Sequence, residues 1–155
     1  MPIPEFVVEI RKMIGHHEMW LPGVTAVVTR GDEILLVRRA DNGEWTPITG
    51  IPEPGEVPGR AAAREALEET GVEVRVDRLA STSAHPGVVH ANGDRASYLD
   101  LTFACTYVSG EAHVADDESR DVRWFPQDAM PEMAESMVRR IADALSGERA
   151  ARFVR

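Results

Sequence analysis

The chain has very little cysteine: Cys105 is its only thiol. That excludes an intramolecular disulfide and any zinc site built on several thiolates. Long apolar runs are missing too, which excludes a transmembrane helix. Positive charge is in short supply, with 17 Lys and Arg against 26 Asp and Glu, a formal net charge of -9 and a pI near 5.0. Such a balance argues against gripping nucleic acid by its phosphates, which needs a basic face, and against docking on an anionic membrane surface. No G-x-S-x-G nucleophile elbow and no Gly-rich Lys-Ser/Thr phosphate loop is present. Repeats and low-complexity tracts are absent. The N-terminal segment sets Glu5 and Glu9 among apolar residues and lacks a basic start, so it does not read as a signal peptide. A cytoplasmic protein is the expectation. What remains is 155 residues, 43% hydrophobic and 28% charged, the make-up of one globular domain over 1–155.

Periodicity predicts the elements. Phe6, Val7, Ile10, Met13 and Ile14 have helical spacing, giving an N-terminal helix over about 4–14 with Gly15 as its stop. Val24–Thr29 and Glu33–Arg38 read as strands of a hairpin about Arg30-Gly31-Asp32. Five Gly or Pro positions between Pro47 and Gly55 mark a shaped loop. A helix is expected from Val57 to Thr70, closed by Gly71. Val72–Val76, Leu79–Ser83, Val88–Ala91, Ala96–Val108 and Asp121–Phe125 read as strands, with Asn92-Gly93 as a two-residue hairpin turn. A last helix over about 131–146 puts Ala134, Met137, Val138, Ile141 and Leu145 on one face. This order predicts an α/β fold, a mixed sheet with helices against it.

The helix after the loop carries the chemistry. Glu65, Glu68 and Glu69 are related by i, i+3 and i+4 and share a face, while Ala63, Ala66, Leu67 and Thr70 are expected opposite, against a sheet. Like charges at this spacing cost about 0.2–0.5 kcal/mol per pair. A solvated face would explain them, and so would a seat for Mg²⁺ or Mn²⁺, hard ions that take oxygen ligands and bind substrate phosphates. Upstream residues favour the seat. Gly50, five residues, Glu56, seven residues, then Arg64-Glu65-Ala66-x-Glu68-Glu69-x-Gly71-Val72 resembles the signature box of the Nudix hydrolases, G-x5-E-x7-R-E-U-x-E-E-x-G-U with U aliphatic. Ala66 is smaller than the usual aliphatic. Trp45, Pro54-Gly55-Glu56 and Trp124-Phe125-Pro126 also resemble the family's flanking positions, so the likeness covers about residues 22–130.

The resemblance implies an α/β/α sandwich with a mixed sheet that hydrolyses a nucleoside diphosphate linked to another moiety, of the ADP-ribose or nucleotide-sugar type. The alternative is a nucleoside triphosphate, oxidised purines included. It implies Glu65, Glu68 and Glu69 as divalent-metal ligands, one of them assisting the attacking water, with Glu56 joining directly or through water. Arg64 would hold a box glutamate in place. The Thr49 carbonyl would be a further ligand, although Thr49 stands where many members have Gly. Asp116-Asp117-Glu118 is the candidate loop for an additional acid, with Glu118 favoured as catalytic.

Other residues are weighed beside these. His85 and His90 flank the hairpin that would rim a pocket. His16-His17 suit the first helix's C-terminal dipole. Cys105, alternating with Leu101, Phe103 and Tyr107, reads as a core thiol, which speaks against isomerisation of a prenyl diphosphate by a reactive cysteine. A complete box without a DNA-binding domain speaks against a nucleotide-sensing regulator. Tyr98, Trp45 and Trp124 are packing residues first and base-stacking candidates second. The first helix also makes a homodimer an expectation.

Overall fold

The computed structural model describes residues 3–155. In chain order the elements are α1 (Glu5–Ile14), β1 (Met19–Arg30), β2 (Glu33–Arg39), β3 (Trp45–Thr46), β4 (Ile48–Gly50), α2 (Pro58–Thr70), β5 (Glu73–Val89), β6 (Arg95–Ser109), β7 (Ser119–Pro126) and α3 (Glu135–Leu145). The strands form one seven-stranded mixed sheet in which β3, β2, β1, β6 and β5 follow one another, β4 pairs with β1 and β7 with β2. β1 and β6 run parallel, Met19 opposite Ala96 through Thr29 opposite Thr106; β5 and β6 form a long antiparallel hairpin.

Alternation along β1 and β2 divides the core in two. Val24, Ala26, Val28, Leu35 and Val37 face Ala61, Ala62 and Ala66 of α2. Val27, Ile34 and Leu36 face Ile141 and Ala144 of α3 on the other side. The result is an α/β/α sandwich. Three alanines let α2 lie close to the sheet, Pro58 opens it where its missing N–H costs nothing, and Gly71 (φ +70°) closes it in the left-handed region. A third cluster seats Val7 of α1 on Met19, Leu21 and Ala96.

Several elements differ from the pattern reading. β1 starts at Met19 and runs through Pro22; its second edge is paired with β4 only from Val24, so a proline without an N–H is accommodated there. The shaped loop contains β3 and β4, too short to show periodicity. The expected strands at 72–76, 79–83 and 88–91 are one strand, β5, whose register shifts between Val76 and Arg78, Leu79 and Ser81, and His85 and Val88; such bulges break the period of two. Asn92-Gly93 turns the chain in a longer loop, in which the His90 amide donates to the Asp94 carbonyl and the Gly93 amide to that of His90. α3 begins at Glu135, not 131, and its buried stripe is Arg140, Ile141 and Ala144, leaving Val138 and Leu145 largely exposed. On α2, Leu67 is exposed and Glu65 and Glu69 are buried. Two of the three acids, Glu65 and Glu69, therefore turn inward and Glu68 stays exposed; Ala66 and Thr70 are buried as expected, and Leu67 is not.

Candidate active site

Glu65 sits at 1% exposure beneath β4. Gly50 makes that possible: a Cβ there would lie 2.1 Å from the Glu65 carboxyl carbon. Arg64 Nη1 donates to Glu65 Oε1 at 2.9 Å, while Glu65 Oε2 is buried with no hydrogen-bond partner. Glu69 is 4% exposed one turn on. Burial pushes the Glu65 carboxyl up to about 7, against the pull of Arg64. Burial, with Glu118 and Glu65 repelling the charged form, pushes Glu69 up to about 8.

Arg64 is the hub. Its Nε and Nη2 form a two-pronged bond to Glu56 at 2.8 and 2.9 Å, and its Nη1 also reaches Glu68 Oε2 at 3.1 Å. Hydrogen bonding to Glu56 raises the guanidinium further above its ordinary range and holds Glu56 below its own. Glu56 in turn accepts from the Glu53 amide at 2.9 Å, so the loop ahead of α2 is tied to the helix through one side chain. Glu56 and Glu68 thus gather on Arg64.

Glu65 opens onto a cavity of about 520 Å³ that Thr49, Gly50 and Glu118 also line. Glu118 enters it just before β7, its carbonyl accepting from the Ala40 amide at 2.7 Å. His85, His90 and Tyr98 line the same cavity, and His90 Nε2 lies 2.9 Å from the Tyr98 hydroxyl. Trp45 instead meets Phe125 edge-on at 4.9 Å, and Trp124 packs under Arg30 at 4.1 Å. His16 pairs with Asp94 of the β5–β6 loop at 2.8 Å. Cys105 is buried and its thiol is pushed up to about 12 by burial.

The pattern reading missed a buried polar network on the α3 face. Asp100 Oδ1 accepts from Thr25 at 2.9 Å and Oδ2 from Thr102 at 2.8 Å; Arg140 Nη1 donates to the Thr25 hydroxyl at 2.9 Å and lies 3.3 Å from Asp100. Both Asp100 and Arg140 line the cavity. The available signal was an aspartate alternating with Tyr98 and Thr102 in an apolar strand, and an arginine at i+3 from Met137.

Among the described residues no three His, Cys, Asp or Glu side chains are already gathered so as to hold a metal ion. The donor set is nonetheless one of hard oxygens, with a buried carboxylate oxygen left without a partner and two carboxyls, Glu65 and Glu69, that burial raises. That chemistry fits an open divalent site completed by water and substrate oxygens.

The fold is an α/β/α sandwich with an acid-lined cavity, and likeness to known proteins defines the class. The NUDIX domain family model matches residues 19–145. A MutT-like protein of Streptomyces ambofaciens is 40% identical over 126 residues, 80% of this chain and 76% of that one. The NAD-capped RNA hydrolase NudC of Pseudomonas aeruginosa is 38% identical over 112 residues, 71% of this chain but only 37% of its own length. Among solved structures, a NUDIX hydrolase from Nitrosomonas europaea superposes with a TM-score of 0.67 at 28% identity, covering 86% of this chain and 93% of that one. The chain belongs to the Nudix hydrolase family, enzymes of pyrophosphate-bond hydrolysis that generally use divalent metal ions.

Proposed function

We propose that the chain is a Mg²⁺-dependent pyrophosphohydrolase, Mn²⁺ serving equally, that cleaves a nucleoside diphosphate linked to another moiety, of the ADP-ribose or nucleotide-sugar type. The observation that carries this is Glu65: a fully buried carboxylate beside an open cavity, one oxygen on Arg64 and the other without a partner. Such an oxygen is costly to keep unless a cation completes it. When bound, the ion supplies charge neutralisation of the diphosphate and a more acidic water.

The chain's own residues do the rest. Glu65, Glu68 and Glu69 are the ligands in this reading, with Glu56 and the Thr49 carbonyl joining them. Arg64 is a positioning residue, since its three nitrogens fix Glu56, Glu65 and Glu68 relative to one another. Near neutral pH the raised Glu65 and Glu69 carboxyls retain protons, which cation binding displaces. Glu118, which lines the cavity and repels the charged form of Glu69, is the acid that orients or deprotonates the attacking water in this reading. The cavity volume lies in the range of small-molecule sites. Incubation with Mg²⁺ and a panel of nucleotide sugars, dinucleotides, ADP-ribose and nucleoside triphosphates tests the reading. Release of a mononucleotide from the conjugates supports it. Turnover of triphosphates alone, with pyrophosphate as product, rejects the conjugate assignment.

A further inference from the structure

Arg140 is an unusual helix residue. It is 7% exposed and sits in the apolar stripe of α3, yet its guanidinium is only partly engaged. Nη1 is taken by Thr25 and Asp100. Nε and Nη2, which together form the side-on edge of the guanidinium, have no partner among the described residues and are not sealed from solvent. The cavity that holds Glu65 is the space Arg140 lines. Gly23 connects the two regions: a Cβ there would stand 3.5 Å from Asp100, 3.8 Å from the Tyr98 ring and 3.9 Å from the Gly50 carbonyl. Tyr98, two residues from Asp100 on β6, and Met137, one turn before Arg140, line the same cavity, as does His85, which acts electrostatically on Asp100.

We propose that this is the nucleobase subsite, and that the free edge of Arg140 reads a 6-oxopurine by donating to its O6 and N7. Two arguments select a base over a phosphate. Asp100 at 3.3 Å already compensates the arginine's charge, so the fork acts as a neutral pair of donors, while an oxyanion there would face the Asp100 carboxylate. The Tyr98 ring, beside Asp100 at Gly23, also offers a flat base a face to stack on, which a phosphate does not use. The purine edge follows from geometry. A planar fork needs two adjacent acceptors: guanine and hypoxanthine present O6 beside N7, adenine offers N7 beside an amino donor, and the two carbonyls of uracil are separated by its N3–H. Cytosine, with N3 beside O2, is the pyrimidine alternative, which CDP must exclude in the titration. Asp100, bonded by both threonines and Arg140, locks the fork in place. The inference rests on the nucleotide reading above and narrows it to guanine or hypoxanthine nucleotide conjugates, setting ADP-ribose aside.

Equilibrium binding tests it without requiring turnover. Titrating the wild-type protein with GDP, inosine diphosphate, ADP, CDP and 7-deaza-GDP in Mg²⁺ should show the first two binding about 10- to 100-fold more tightly than ADP or CDP. Removing N7 in 7-deaza-GDP should cost about tenfold, a change made in the ligand and so free of any folding effect. Arg140→Lys keeps the charge beside Asp100 and loses the fork; the GDP-to-ADP ratio should collapse towards one while thermal unfolding shows the variant folded. Equal affinity of the wild type for GDP and either ADP or CDP, or an unchanged ratio in Arg140→Lys, overturns the base assignment and leaves the hydrolase reading standing. Failure of every nucleotide to bind overturns both.

Discussion

Gly50 and Glu65 share a space that admits no further atom. Gly50→Ala would drive a methyl to 2.1 Å from the Glu65 carboxyl carbon, and Arg64 prevents the acid from sliding away. Turnover should fall about 100-fold, the scale of a 1 Å misplacement of a catalytic group, with far-ultraviolet circular dichroism unchanged. The buried acids also set a pH dependence. Glu65 and Glu69 have folded values near 7 and 8, raised from an ordinary 4.5, so between about pH 4.5 and 8 the folded state holds more protons than the unfolded one. Stability of the metal-free protein should therefore fall as pH rises through that window. Glu69→Gln should flatten the melting-temperature profile over pH 5–8, and Mg²⁺ should raise the wild type's melting temperature most at the alkaline end. A metal-free profile that rises with pH would contradict the burial account. At this scale the candidate acids were legible as residue types with a set spacing, whereas their burial was not. Helical spacing alone leaves the rotation of a helix open, and it was Ala61, Ala62 and Ala66 on the sheet that carried Glu65 and Glu69 inward and Leu67 out.

Among the elements, α2 and the loop before it act as one piece because Arg64 joins them. Lysine supplies the charge but cannot reach Glu56 with two nitrogens while touching Glu65 and Glu68. Arg64→Lys should lower metal affinity or turnover by about 10–100-fold, as for other residues that orient metal ligands, measured as the Mg²⁺ concentration for half-maximal rate. α3 is anchored by Ile141, 1% exposed. Ile141→Ala should cost about 2–5 kcal/mol in denaturant unfolding, while Val138→Ala, at a half-exposed position, should cost far less. An equal cost would show that the stripe read from periodicity is the buried one. The long elements were legible from periodicity and their stops from Gly15, Gly71 and Pro58. β3 and β4 were not: two or three residues carry no period, and they exist because the edges of β1 and β2 offer them partners. Nor were the single strand β5, with its bulges, or Arg140 as a core residue, since a charged side chain on an apolar stripe is ordinarily read as an interruption.

At the scale of the molecule, the formal charge of -9 has a local component that is not spread on the surface. Glu56, Glu65 and Glu68 gather on the Arg64 guanidinium, and Glu69 is repelled by Glu65 and Glu118, so divalent ions should do more for this protein than an equal ionic strength of NaCl. α1 is seated on the sheet by Val7 and tied to the β5–β6 loop through Arg11 and His16 on Asp94, which leaves Met13 and Val8 exposed. The proposed homodimer through this helix should elute at twice the monomer mass, and Met13→Glu should return it to the monomer.

The central claim is that the α2 carboxylates hold the ion that makes pyrophosphate hydrolysis possible. The most direct measurement is the rate of mononucleotide release at saturating Mg²⁺ by the wild type and by Glu65→Gln, which preserves shape and removes the charge. The account predicts a loss of about 10²–10³-fold with the melting temperature of the metal-free protein maintained or raised. A folded Glu65→Gln variant that keeps its Mg²⁺-dependent rate within twofold of the wild type would contradict it.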